Sequence, residues 1–215
     1  MSRRDNSPNW LLVEGEEDKR IIPELMEKNG IPWEKREEPV YIKPCDGYEN
    51  IDVNLISTAL QKSGLKALGI IIDADDNFDQ RWTSIRNACL KSIPDIPEEL
   101  PITGLVHPTD SGIKFGVWIM PDNQTQGMLE TFLTYLIPDE DEPLWQYAKE
   151  VATEAQNRGA TFINSHFDNA SIYSWLAWQN PPGRQLHDAV KQKIFNPTHP
   201  QAQSFVNWFK QLYDL

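Results

Sequence analysis

Short apolar runs alternate along the chain with stretches of helical period, the pattern of an α/β protein built on a sheet. Trp10-Leu11-Leu12-Val13 reads as a buried strand that ends at Glu14-Gly15. In residues 18–29 the apolar positions Ile21, Ile22, Leu25 and Met26 recur at helical spacing, and Gly30 supplies the stop. Pro23 lies inside that stretch. It has no N–H and clashes with the carbonyl four residues earlier, so it predicts a helix that starts late or kinks.

Pro39-Val40-Tyr41-Ile42-Lys43 is a second strand, followed by a helix over 51–63 with Gly64 as its cap. Ala67-Leu68-Gly69-Ile70-Ile71-Ile72 is a continuous apolar run, suited to a central parallel strand covered on both faces, and it runs into Asp73-Ala74-Asp75-Asp76. A helix over 80–92 and a Pro-rich connection lead to a hairpin whose arms are 104–108 and 113–120. A helix over 127–137 then carries Met128, Leu129, Phe132, Leu133 and Leu136 on its apolar face, with Glu130 off it. Helical pattern continues over 144–157, 171–178, 185–194 and 201–213. The expected architecture is α/β: a small, mostly parallel sheet flanked by helices over 1–140, closed by a helical layer over 141–215 on the same domain.

Composition narrows the function. The chain has 215 residues, 40% of them hydrophobic and 10% aromatic, enough for a packed core. Its 20 Lys and Arg against 32 Asp and Glu give a net charge of −12, which argues against a polybasic nucleic-acid binder. Met1-Ser2-Arg3-Arg4 is followed by Asp, Asn, Ser and Pro, so no secretory signal is expected, and no apolar run reaches the length of a membrane span. Cys45 and Cys89 lack the number for a disulfide framework and the spacing for zinc, and they read as core filler or inert surface thiols, reduced in a cytoplasmic protein.

The acids change that picture. Glu14 follows the first strand, Asp73 and Asp75 the central one, and Asp122 the last. Sites in open α/β sheets form at the carboxyl ends of the strands, so one acidic crevice is predicted. Asp18 lies one helical turn beyond Glu14, Asp73 and Asp75 are spaced to project from the same side, and Glu130 would reach in from the following helix. Two unit charges ~4 Å apart repel by ~4 kcal/mol at an effective dielectric of 20, a cost that a hard divalent cation removes. Oxygen-only ligands select Mg²⁺, Mn²⁺ or Ca²⁺ over zinc, and clustered carboxylates with Mg²⁺ serve phosphoryl transfer.

Plainer readings stand beside this one. Residues 14–18 could be an acid-rich first helical turn, 73–76 a solvated turn, and Glu130 an exposed helix residue. An EF-hand loop starting at Asp73 fails, because Phe78 stands where glycine is required and Ser84 where the last Glu belongs.

Val13-Glu14-Gly15-Glu16-Glu17-Asp18, followed by Ile22-Pro23, Leu25 and Gly30, resembles the opening motif of Toprim domains, and Pro23 resembles the OLD-type nuclease branch. Ile71-Ile72-Asp73-Ala74-Asp75 resembles the Toprim DxD motif, and Gly127-Met128-Leu129-Glu130 the OLD-type segment with a further metal-binding Glu. The run 116–123 together with Trp175-Leu176-Ala177-Trp178 is similar to a compact, stand-alone Toprim-like family. This resemblance implies a Toprim-like fold and metal-dependent hydrolysis of phosphodiesters in DNA or RNA with Mg²⁺ or Mn²⁺. It implies Glu14 as a ligand or general base, and Asp18, Asp73, Asp75 and Glu130 as ligands, with Glu14, Asp73 and Asp75 carrying the catalysis.

One departure stands out. The OLD-type pattern has a late basic residue, and Asn169 occupies the place where Lys is expected. Arg81, Arg86, Lys114, His107 or His166 could substitute. No GxxxxGK[ST] phosphate loop occurs, so an ATPase would have to be a separately encoded partner. A catalytically silent interaction module is the alternative, and a small-molecule phosphohydrolase a third reading. An oligomer is compatible with all three. The aromatic tail (Trp175, Trp178, Phe205, Trp208, Phe209, Tyr213) fits core packing or an interface.

Overall fold

The computed structural model describes residues 6–34 and 37–215; Arg3 and Arg4 lie outside the described residues. The strands are β1 (Asn9–Val13), β2 (Tyr41–Pro44), β3 (Ala67–Asp73), β4 (Leu105–Pro108) and β5 (Lys114–Met120). They form one sheet in the order β2-β1-β3-β5-β4. All pairs are parallel except β4 with β5. The helices are α1 (Glu16–Lys28), α2 (Val53–Leu60), α3 (Phe78–Cys89), α4 (Leu129–Thr134), α5 (Glu142–Asn157), α6 (Phe167–Ala177), α7 (Leu186–Lys191) and α8 (Gln203–Tyr213). The result is a mixed α/β fold with a mostly parallel sheet flanked by helices, consistent with a Toprim-like architecture. No helix among the described residues is long and apolar enough to cross a membrane.

The alternation of side chains along the strands divides the core in two. Leu12, Leu68, Ile70, Ile72, Phe115, Val117 and Ile119 pack with Ile56, Trp82 and Ile85 on the side of α2 and α3. Leu11, Val13, Ala67, Ile71, Trp118 and Met120 face the other way, onto α1 and the C-terminal helices. The expected continuous burial of the central strand is met, with every residue from Ala67 to Ile72 buried. The tail aromatics resolve as core: Trp175, Phe205, Trp208 and Phe209 are at most 1% exposed, and only Trp178 stays at the surface. Cys45 and Cys89 are free and buried, as core filler should be.

Three local expectations are corrected. Of the late start and the kink expected at Pro23, the late start is overturned, since α1 begins at Glu16 and runs through Pro23. The carbonyl deprived of a partner is that of Lys19, an exposed residue whose backbone water can serve, while Ile21, Ile22, Leu25 and Met26 anchor the opposite face. The helix expected over 127–137 is confined to Leu129–Thr134, because Gly127 is held in an antiparallel bridge with Asp75 instead. Conversely α6 begins at Phe167, four residues ahead of the apolar pattern, so that Asn169 lies within its first turn.

Gly69 and Gly116 are paired in register on neighbouring strands. Together they form a trough into which the end of α8 drops, with the Tyr213 hydroxyl donating to the Trp10 carbonyl at 2.8 Å. A Cβ on Gly69 would strike the Tyr213 hydroxyl and approach Leu11 Cδ1 to 2.9 Å. Gly69→Ala is therefore expected to cost ~1–3 kcal/mol through overpacking. The measurement is urea unfolding, where the midpoint should fall with an unchanged slope. An unchanged midpoint would mean that α8 does not rest on β3.

Candidate metal centre at the strand ends

The carboxyl ends of β1 and β3 lie side by side because these strands are parallel neighbours, Val13 against Ile71. Glu14 is the first residue past β1, and its backbone is fixed where its carbonyl accepts from Gly47 N–H at 3.1 Å. Its side chain crosses to the next strand, where Oε1 accepts from the Asp73 N–H at 2.9 Å. Asp73 passes the connection on: its Oδ1 accepts from the Leu129 N–H, the first residue of α4, at 2.9 Å. Two carboxylates thus tie together the ends of two strands and the start of a helix.

Asp18 comes from the first turn of α1. It is 7% exposed, and its Oδ2 accepts from the Gly15 N–H at 3.0 Å. The helix macrodipole and this amide favour its charge, but burial and its neighbours oppose it. Burial first, and then the charges of Glu14 and Glu130, push the Asp18 pKa up to about 7. Asp73 is pushed well above the ordinary range by burial and by Asp18, Glu14, Glu130 and Asp75 together. Glu14 is raised too, by burial, with the Asp73 amide and the Arg81 guanidinium partly compensating. These mutual influences place Glu14, Asp18, Asp73 and Glu130 around one locus, with Asp75 at its rim.

Glu130 is held by Asn169, whose Nδ2 donates to its Oε1 at 2.8 Å. The residue standing where the resemblance expects Lys therefore reaches the site, but as a neutral donor. Tyr173, one turn further along α6, has its hydroxyl pKa raised by burial and by Glu17 and Glu130.

Asp75 departs from the expectation that it would project alongside Asp73. β3 ends at Asp73, and Asp75 has a left-handed backbone (φ 50°), which Asp tolerates better than most residues. The strand alternation is lost there, and Asp75 N–H and C=O bridge to Gly127 at 2.9 and 2.8 Å. Gly127 itself sits at φ 136°, where a Cβ would meet Thr131 Oγ1 at 2.7 Å, so this bridge requires glycine. The Asp75 carboxylate instead forms an ion pair with Arg81, which is 8% exposed and lies over the Tyr48 ring at 3.4 Å.

Asp122 does not join the crevice. Its Oδ1 accepts from the N–H groups of Gln124 and Thr125 at 3.1 and 2.9 Å, and its Oδ2 from the Tyr135 hydroxyl at 3.1 Å. Closing its own turn satisfies this carboxylate locally. His107 sits at 3.2 Å from Asp95, Lys114 pairs with Asp214, and Arg86 donates to the Pro97 carbonyl at 3.0 Å, so none of these three substitutes for the late Lys. Among the described residues Arg81 is a cation that acts on Glu14, and Tyr48 beneath it had no signal in the periodicity.

Among the described residues no three His, Cys, Asp or Glu side chains are drawn tightly enough to clasp a metal ion as they stand. Glu14, Asp18 and Asp73 each give one recorded oxygen to a backbone N–H instead. The donor set nevertheless suits a hard cation, since every group is a carboxylate; burial first, and then the neighbouring carboxylates, raise Asp18 and Asp73.

Fold and site together define an α/β protein with a carboxylate cluster at the ends of its parallel strands. The chain belongs to the family described as protein of unknown function (DUF3226), which it matches over residues 8–214. No curated protein and no solved structure matches it.

The raised carboxyls make stability depend on pH. Folded Asp18 keeps its proton up to about pH 7 against an ordinary 3.8. Between these values the folded state binds the extra proton, so its contribution to stability falls as pH rises and is constant above. In chelator, Asp18→Asn should match the wild type near pH 4 and become progressively more stable than it by pH 7. Thermal melts check this; a gap that stays constant with pH would show that Asp18 ionises freely.

Proposed function

We propose that this protein is a Toprim-like, divalent-metal-dependent phosphodiester hydrolase acting on DNA or RNA, related in its motifs to the OLD-type nucleases. The observation that carries the reading is the convergence of Glu14 and Asp18, Asp73, and Glu130, from three segments far apart in sequence, on one locus at the carboxyl edge of a parallel sheet. Glu14, Asp18, Asp73, Asp75 and Glu130 would hold one or two Mg²⁺ or Mn²⁺ ions. Such ions, when bound, polarise the phosphoryl oxygens and neutralise charge on the leaving oxygen.

The chain's own groups have distinct tasks. Glu14 Oε1 is fixed by the Asp73 N–H, which leaves Oε2 to take a proton from the attacking water. Its raised pKa makes it a better base than an exposed Glu. As the water oxygen bonds to phosphorus, the ester bond to the leaving oxygen breaks, that oxygen takes up a proton from solvent, and Glu14 returns to solvent the proton it accepted. Asp73, anchored to α4 through Leu129 N–H, keeps the ligand set in register, and Asn169 orients Glu130. A cytoplasmic setting with two reduced thiols suits this chemistry. A separately encoded ATPase is the partner that the OLD-type likeness suggests.

A second reading, a catalytically silent interaction module, is favoured by one observation: Asn169 brings no positive charge to Glu130. Purified protein should nick plasmid DNA or cut RNA in Mg²⁺ or Mn²⁺ and not in chelator. Glu14→Gln and Asp73→Asn should each lower the rate at least about a hundredfold, as loss of a key group in a preorganised site does. Equal activity in both variants would overturn the site. No turnover with any metal, together with stable capture of a partner protein, would favour the silent module.

A further inference from the structure

Arg81 and Asp18 are the charged residues counted as buried among those described, and Arg81 is the cation of the two. A guanidinium carries five N–H donors, and this one donates to the Asp75 carboxylate. It lines a cleft of about 200 Å³ with Tyr48, Asn77, Gln80 and Ser84, open beside Asp75 and Asp76. Tyr48 is 37% exposed, with the Arg81 guanidinium 3.4 Å from the centre of its ring. The guanidinium also acts on Glu14, which places the cleft next to the carboxylate locus. A buried cation, an exposed aromatic surface and small polar groups thus share one recess beside the proposed hydrolytic centre.

We propose that this recess is a nucleotide subsite for single-stranded nucleic acid, in which an unpaired base stacks on Tyr48 and the adjoining phosphate is bound by Arg81. The inference rests on the hydrolase reading and names its substrate class. Planar guanidinium donors match two phosphate oxygens, and a tyrosine ring offers a sequence-tolerant stacking platform. Bases within a duplex already cover one another's faces and leave nothing for Tyr48 to stack on.

The charge of the chain favours the same substrate. Tight grip on a duplex comes largely from Lys and Arg displacing counterions along the phosphates, and this protein has a net charge of −12. Lys19 and Arg20, on the first turns of α1, are already paired with Glu16 and Glu17 at 3.0 and 3.1 Å. Stacking plus one buried guanidinium supplies affinity without a basic strip.

The test measures binding apart from turnover. A fluorescein-labelled oligonucleotide of ten thymidines is titrated with Glu14→Gln protein in Ca²⁺ and followed by anisotropy. Tyr48→Ala should weaken binding about tenfold, Tyr48→Trp should restore it, and Arg81→Lys, checked for an unchanged melting temperature, should also weaken it. Tyr147→Ala, an exposed tyrosine stacked on Trp178 outside the site, should change nothing. In the active protein with Mn²⁺, Tyr48→Ala should raise KM and leave kcat within about twofold. Unchanged binding in Tyr48→Ala, or duplex of the same length bound as tightly as the single strand, would overturn the subsite. Tyr48-dependent binding without hydrolysis would instead remove the hydrolase reading and keep the subsite.

Discussion

Crowded negative charge at the end of one strand is the constraint around which this site is arranged. Asp73 meets Asp18, Glu14, Glu130 and Asp75 in a place where burial already opposes ionisation. The fold tolerates this by giving the inner carboxylates backbone amides: Asp73 N–H to Glu14, Gly15 N–H to Asp18 and Leu129 N–H to Asp73. Those same bonds couple β1, β3, α1 and α4. Burial and this crowding raise the pKa values of Asp18 and Asp73, so the arrangement is costly for mere stability. A purely structural core would have placed apolar groups there at lower cost.

The sheet explains why these residues can meet. Parallel neighbours put Glu14 and Asp73 at one edge although they are 59 positions apart, and the short reach from β5 back over the sheet brings α4 and Glu130 to the same edge. The C-terminal helices contribute more than a cover. α8 fills the glycine trough on β3 and β5, while α6 delivers Asn169 to Glu130. The layer that closes the core thereby also completes the rim of the site.

Much of this was legible in the amino-acid sequence, and the failures have physical causes. The strands were found because apolar runs such as 67–72 have no other stable environment than a sheet covered on both faces. Glu14, Asp18 and Asp73 were legible because strand ends and first helical turns have definite directions. Asp75 lies at the rim of the site and not alongside Asp73, because its left-handed backbone, fixed by a bridge to Gly127, breaks the strand alternation. Asp122 was misplaced because a turn can satisfy its own carboxylate. Neither the Asn169–Glu130 bond nor the Tyr48–Arg81 stack leaves a periodic trace, since both join segments that only the tertiary fold brings together.

Locating Mn²⁺ by anomalous scattering in crystals of the protein tests the central claim most directly. Density is expected between the carboxylates of Glu14 and Asp73, with Asp18 or Glu130 turned toward it, and its loss is expected in Asp73→Asn. Crystals soaked in Mn²⁺ that show no ion at these strand ends, while the carboxylates keep their bonds to backbone N–H groups, would contradict it.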